Sequence, residues 1–124
     1  MIAKLKLPVV AIIYFVTFLF ITPARAANED LDFVLINATG GNIVSVYIAP
    51  HDSDEWGDDV MTNDIIRDGE NANIEFHPKT TVKLWDLRIE DKEGNSVEWE
   101  SLDLSQIEKL TLKIVNKKPM ATWE

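Results

Sequence analysis

Apolar and polar residues alternate on both sides of a Gly94-Asn95 pair, through Thr81–Glu90 before it and Ser96–Glu100 after it. A period of two puts successive side chains on opposite faces of an extended chain. The stretch therefore predicts a long strand, a tight turn and a returning strand. Val82 and Leu84 share one parity, while Trp85, Leu87 and Ile89 share the other. One regular strand cannot send both sets to the same face. Either both faces are covered, or a bulge between Leu84 and Trp85 resets the register. The bulk of Trp85 favours a strand near the middle of a sheet, with its indole as a core anchor.

The same alternation recurs along the chain. Leu31–Asn37 is apolar on both parities after Asp32 and predicts a buried first strand; Ala38–Asn42, with paired glycines, predicts a reversal. Ile43–Ile48 is rich in β-branched residues and predicts a second strand, ended by Pro50, which lacks the amide a ladder needs. Val60–Ile66 predicts a short helix or turn, Asp68-Gly69 a turn, and Ala72–Phe76 a third strand, broken at His77-Pro78-Lys79. Leu102–Ile107 predicts a connecting turn opened by Asp103 or Ser105, and Leu110–Val115 a further strand. Lys117-Lys118-Pro119 is a break before Met120–Trp123, an edge strand or tail. The sum is an all-β fold, a small antiparallel β-sandwich of six or seven strands.

The first residues change the picture of where this domain works. Lys4 and Lys6 precede an almost wholly apolar run, Leu7–Ile21, of 15 residues, and Ala24-Arg25-Ala26 follows as a small-x-small cleavage site. The run is short of the roughly 18–20 residues that span a bilayer, so residues 1–26 read as a cleaved signal peptide and 27–124 as one domain, periplasmic or secreted. The chain has no cysteine, which leaves stability to the core alone despite an oxidising destination. Three of the twelve Lys and Arg lie in residues 1–26, leaving nine against 21 Asp and Glu, a balance of −12. A surface so acidic repels phosphate backbones and anionic headgroups, which argues against nucleic acid and membrane-surface partners. Cations and basic proteins remain electrostatically compatible, and acidity also serves solubility.

Candidate chemistry concentrates in His51–Asp59, where five carboxylates and one Trp occupy nine residues. As a metal site, Asp52, Asp54, Asp58 and Asp59 are the candidate ligands. Asp52-Ser53-Asp54-Glu55-Trp56-Gly57 matches the start of a calcium loop, with carboxylates at positions one and three and glycine at six. The match then fails: Trp56 stands where a third side-chain oxygen belongs, and position twelve is Asn63 instead of a bidentate Glu. As a contact surface, Asp52, Asp54, Glu55, Trp56, Asp58 and Asp59 suit a basic partner, the aromatic anchoring and the acids steering. A plainer reading is a solvated acidic loop with Trp56 folded back onto the sandwich edge. Asp86 and Arg88, two apart on one strand, share a face and are a candidate structural ion pair. Asn37-Ala38-Thr39 is a glycosylation sequon read here as turn chemistry, with Asn in a left-handed conformation. Catalysis has little to build on: His51 and His77 are the only histidines, no thiol exists, and no Gly-x-Ser-x-Gly elbow occurs. Paired carboxylates for a small hydrolase exist, as in any acidic chain.

Phe33 with Asn37 and Gly40, the Tyr47-Ile48-Ala49-Pro50 strand end, Trp56-Gly57-Asp58-Asp59, Gly69 and Phe76 occur in this order. They continue with Trp85-Asp86-Leu87-Arg88, Gly94, Leu102-Asp103-Leu104 and Ile107. In these features the mature region resembles a small uncharacterised family of exported bacterial β domains, sometimes mislabelled argininosuccinate lyase. The resemblance implies a β fold and export, and no activity; nothing in the chain resembles that long helical enzyme. The combined expectation is a monomeric, non-catalytic binding or accessory module without a cofactor, meeting a basic envelope protein through the acidic loop. A calcium-binding domain is the alternative.

Overall fold

The computed structural model describes residues 30–61 and 63–124. The expected signal peptide, residues 1–26, lies outside them. The described chain is all-β, with strands β1 (Phe33–Ala38), β2 (Ser45–Pro50), β3 (Asn71–Ile74), β4 (Trp85–Glu90), β5 (Ser96–Leu102), β6 (Lys109–Val115) and β7 (Lys118–Trp123). They form a four-stranded sheet in the order β3-β1-β6-β7 and a three-stranded sheet in the order β2-β4-β5. The buried side chains of both sheets belong to one hydrophobic cluster, with Leu35, Leu110 and Leu112 from the first and Val46, Leu87 and Trp99 from the second.

The expectation of a wholly antiparallel arrangement is corrected at one place. β1 and β6 run parallel, Val34 opposite Lys109 through Ala38 opposite Lys113. Hairpin turns dictate antiparallel pairing only between strands adjacent in sequence. β1 and β6 are separated by most of the domain, so their direction follows from how the intervening strands cross over.

β4 occupies the centre of its sheet, and Trp85 is 2% exposed, with Phe76 set edge-on to it at 4.9 Å and 88°. The parity conflict around it resolves without a bulge between Leu84 and Trp85. Residues 81–84 precede the strand, and Val82 is exposed. The register shift lies one step on: Trp85 faces Leu102 while Leu87 faces Trp99, so β5 carries an extra residue opposite Asp86. Ser101, at φ +62, supplies it.

The described residues of 60–66 form no helix, and both ends of the segment are held by backbone hydrogen bonds. Val60 N–H donates to Val46 O at 2.8 Å, and Ile66 bridges Ile43 through bonds of 2.9 and 2.8 Å, so one end is tied to the open side of β2 and the other to the residues just before it. Asp103 caps a single 3-10 turn, Leu104–Gln106, its carboxylate accepting from Ser105 N and Oγ. The Lys117-Lys118-Pro119 break is a two-residue hairpin turn instead. Asn116 and Lys117 take φ +53 and +66, as a tight turn between right-twisted strands requires, and β7 begins at Lys118.

Asn37 departs furthest from expectation. It is the last inward-facing residue of β1 and is fully buried. Its Nδ2 donates to Gly41 O at 2.7 Å and Ile66 O at 2.9 Å, and its Oδ1 accepts from Thr39 N at 3.0 Å and Thr39 Oγ1 at 2.7 Å. The left-handed turn position belongs to Gly40, at φ +92. The sequon is therefore neither a turn asparagine nor an accessible acceptor.

Candidate functional site

The 51–59 loop leaves β2 at Pro50 and is fastened at both ends. At its start, Ser53 N–H donates to Pro50 O and His51 N–H to Leu84 O. His51 Nδ1 lies 2.8 Å from Asp86 Oδ1. At its end, Asp59 pairs with Tyr47 across the edge of β2, and its Oδ1 accepts from Val46 N at 2.9 Å and Met61 N at 3.0 Å. Between these points Gly57 turns the chain at φ +75, with open space where a Cβ would project.

This anchoring divides the predicted residues. Asp59 is spent on backbone amides and serves the fold. Asp52, Asp54, Glu55 and Asp58 are exposed, and their carboxylates enter none of the hydrogen bonds or ion pairs among the described residues. Trp56 is half-buried, its ring over the Arg88 guanidinium with Cζ 5.9 Å from the ring centroid, within reach of a cation–π contact. It is thus folded back onto the outer face of β4 while keeping part of the indole in water.

Asp86 and Arg88 share that face, as their spacing requires, but the predicted pair between them is not formed. Asp86 serves His51 and the Ser101 amide (3.0 Å). Arg88 lies between Glu90 and Glu98, each at 3.7 Å, and donates to Ser96 Oγ at 3.2 Å. The i,i+2 spacing does not forbid a pair, since Arg88 reaches Glu90 at that same spacing; Asp86 is instead engaged by His51 and the Ser101 amide, while Glu98 faces Arg88 directly across the ladder. Arg88 is opposite Glu98 in the ladder. Its Nε is buried without a hydrogen-bond partner.

The hydrogen bond from His51 to Asp86, reinforced by that carboxylate's charge, raises the His51 pKa above its ordinary value; Asp52 and Glu100 act in the same direction. Among the described residues, the four candidate metal ligands of the loop do not converge. The group of three that does is Asp30, Asp32 and His77, all exposed, with His77 Nε2 2.9 Å from Asp32 and 3.9 Å from Asp30. Burial acts to raise the Asp32 pKa, but the Phe76 amide at 2.8 Å and His77 together hold it below the ordinary value. These contacts tie the start of the domain to the end of the third-strand segment. Each histidine has its own carboxylate partner, a grouping that sequence order did not reveal because Asp86, on β4, and Asp32, just before β1, are distant in sequence from the histidines they meet.

Searches against protein-family models, curated proteins and solved structures found no match to this chain.

Proposed function

We propose that the protein is an exported, non-catalytic binding module of the β-sandwich class, monomeric, whose 51–59 loop receives a basic protein of the cell envelope. The observation that carries this reading is the loop's construction. Two internal clamps, His51–Asp86 and Asp59–Val46, hold it to the sheet. Asp52, Asp54, Glu55 and Asp58 stay exposed, and Trp56 is half exposed. A rigid aromatic anchor beside unpaired charges of one sign suits an oppositely charged surface: the acids raise the encounter rate, and burial of the indole slows dissociation. The signal-like leader and the family resemblance support export, and an overall −12 balance outside residues 1–26 favours a basic partner.

Affinity capture from an envelope extract, with the protein as recovered after export, tests the assignment. A basic protein retained by the wild type should be held at least about tenfold more weakly by Trp56→Ala, as expected for loss of an aromatic anchor. Retention unchanged by Trp56→Ala overturns the role of the loop.

A further inference from the structure

A second surface, on different elements from the loop, has the form of a strand-receiving groove. The four-stranded sheet ends at β7 and the three-stranded sheet at β5. Trp99 Nε1 on β5 donates to Met120 O on β7 at 2.9 Å, which holds the two edges side by side. Between them lies an open groove of about 480 Å³, with Trp99, Leu102, Met120 and Trp123 among its apolar lining and Glu98 and Glu100 along β5. Met120 and Trp123 are 51% and 42% exposed. Single exposed apolar residues are ordinary; these two both line the groove, Trp123 from the face of β7 that carries Leu110 in the ladder and Met120 from the opposite face, beside Lys113.

The backbone of β7 shows what the groove can hold. Lys109 and Glu124 exchange backbone hydrogen bonds in both directions. Alternation along the antiparallel ladder then makes Thr111–Thr122, Lys113–Met120 and Val115–Lys118 the bonded pairs. The backbone groups of Pro119, Ala121 and Trp123 consequently point away from β6, toward the open edge. The edge is guarded over one half only: Lys117, Lys118 and Pro119 supply the charges and the missing amide that discourage strand addition. Met120–Trp123 carries no charge, and this half borders the groove.

We propose that the groove between β5 and β7 receives an extended segment of another protein in which Lys or Arg alternates with apolar residues. The segment pairs with the backbone of Ala121 and Trp123, directs its cations into the groove beside Trp123 and Glu100, and lays its apolar side chains on the opposite face against Met120. This is recognition by strand addition: main-chain bonds give affinity and side-chain alternation gives specificity. Charge complementarity selects this occupant over a second copy, because two chains of strongly negative balance repel each other on approach.

The test is fluorescence anisotropy of a dye-labelled Lys-Val-Lys-Phe-Lys-Val peptide titrated with the full chain. Controls are the same peptide with Glu for each Lys, and one with Pro in place of the central residues. The lysine peptide should bind and both controls should not. Glu100→Lys and Trp123→Ala should each weaken binding about tenfold or more, with melting curves confirming that the variants fold; Glu100→Lys, an exposed rim change, decides the matter if Trp123→Ala does not fold. Trp56→Ala should leave this binding unchanged, which separates the groove from the loop. Equal binding of the glutamate peptide, wild-type affinity in Glu100→Lys, or no binding at all overturns the proposal. So does a concentration-dependent dimer in sedimentation that Trp123→Ala abolishes, which would give the groove to a second copy.

Discussion

Asn37 shows how one side chain can hold several segments together. Its amide closes the Gly40-Gly41 turn and accepts or donates four bonds, one of them reaching Ile66 across 29 positions of sequence. Replacing it with Ala removes the donor to the buried Ile66 O and the acceptor for Thr39 N and Oγ1, at a position that is itself fully buried. An unsatisfied buried polar group costs about 1–3 kcal/mol, so Asn37→Ala should lower stability by about 2–3 kcal/mol in urea unfolding, without changing the cooperativity of the transition. A loss below about 0.5 kcal/mol, the range of ordinary surface substitutions, would show that water replaces the amide. In the sequence this asparagine looked like turn chemistry because it stands before Thr-Gly-Gly. Burial is a property of the place where strand and returning segment meet, and no local pattern encodes it. Trp85 was legible for the opposite reason: its size and the alternation around it leave few places for it except a core.

At the scale of the element, the 51–59 loop depends on two carboxylates that do different work. Asp59 substitutes for a strand partner at the edge of β2, while Asp86 grips His51 from the neighbouring strand. The His51 pKa is raised in the folded state, chiefly by the Asp86 hydrogen bond. A protonated His51 therefore stabilises the fold fully at pH below the unfolded value of 6.5, and this contribution disappears as pH rises through the higher folded value. The melting temperature of the wild type should exceed that of His51→Gln most near pH 5.5 and converge toward it above pH 8, well past the unfolded value of about 6.5. A difference independent of pH would mean that His51 acts through packing or a neutral hydrogen bond. Alternation in the sequence located most of the strands, including the β4–β5 hairpin, while leaving Met120–Trp123 open between an edge strand and a tail; the structure makes it part of β7. Alternation missed the bridges made by Asp59 and Ile66, because an isolated bridge needs one or two residues facing a partner and leaves no period to read.

For the whole molecule, charge and architecture act together. The excess of acidic over basic residues is concentrated on an all-β body whose two sheets share one buried cluster. Most of the ion pairs formed are between partly or largely exposed groups, and such pairs contribute about 0–1 kcal/mol each. Net self-repulsion is the larger long-range effect. Raising sodium chloride from about 0.01 to 0.15 M shortens the Debye length from roughly 30 to 8 Å, and the melting temperature should rise over that interval. A fall would show that the attractive pairs outweigh the repulsion. The loop and the β5–β7 groove both present acid beside exposed aromatic surface, so weakening of peptide binding by the same salt is expected at the groove.

The order of apolar and polar residues by itself determined the β character, the position of the main hairpin and the acidity of the exposed loop, since each is a local or summed property of the chain. Tertiary structure alone decided that β1 lies parallel to β6, that Asp86 meets His51 while Arg88 turns to Glu90 and Glu98, and that two strand edges converge at Trp99 and Met120. Those outcomes depend on which distant strands become neighbours. That choice is made by the packing of the whole core, and a period of two along one strand carries no record of it.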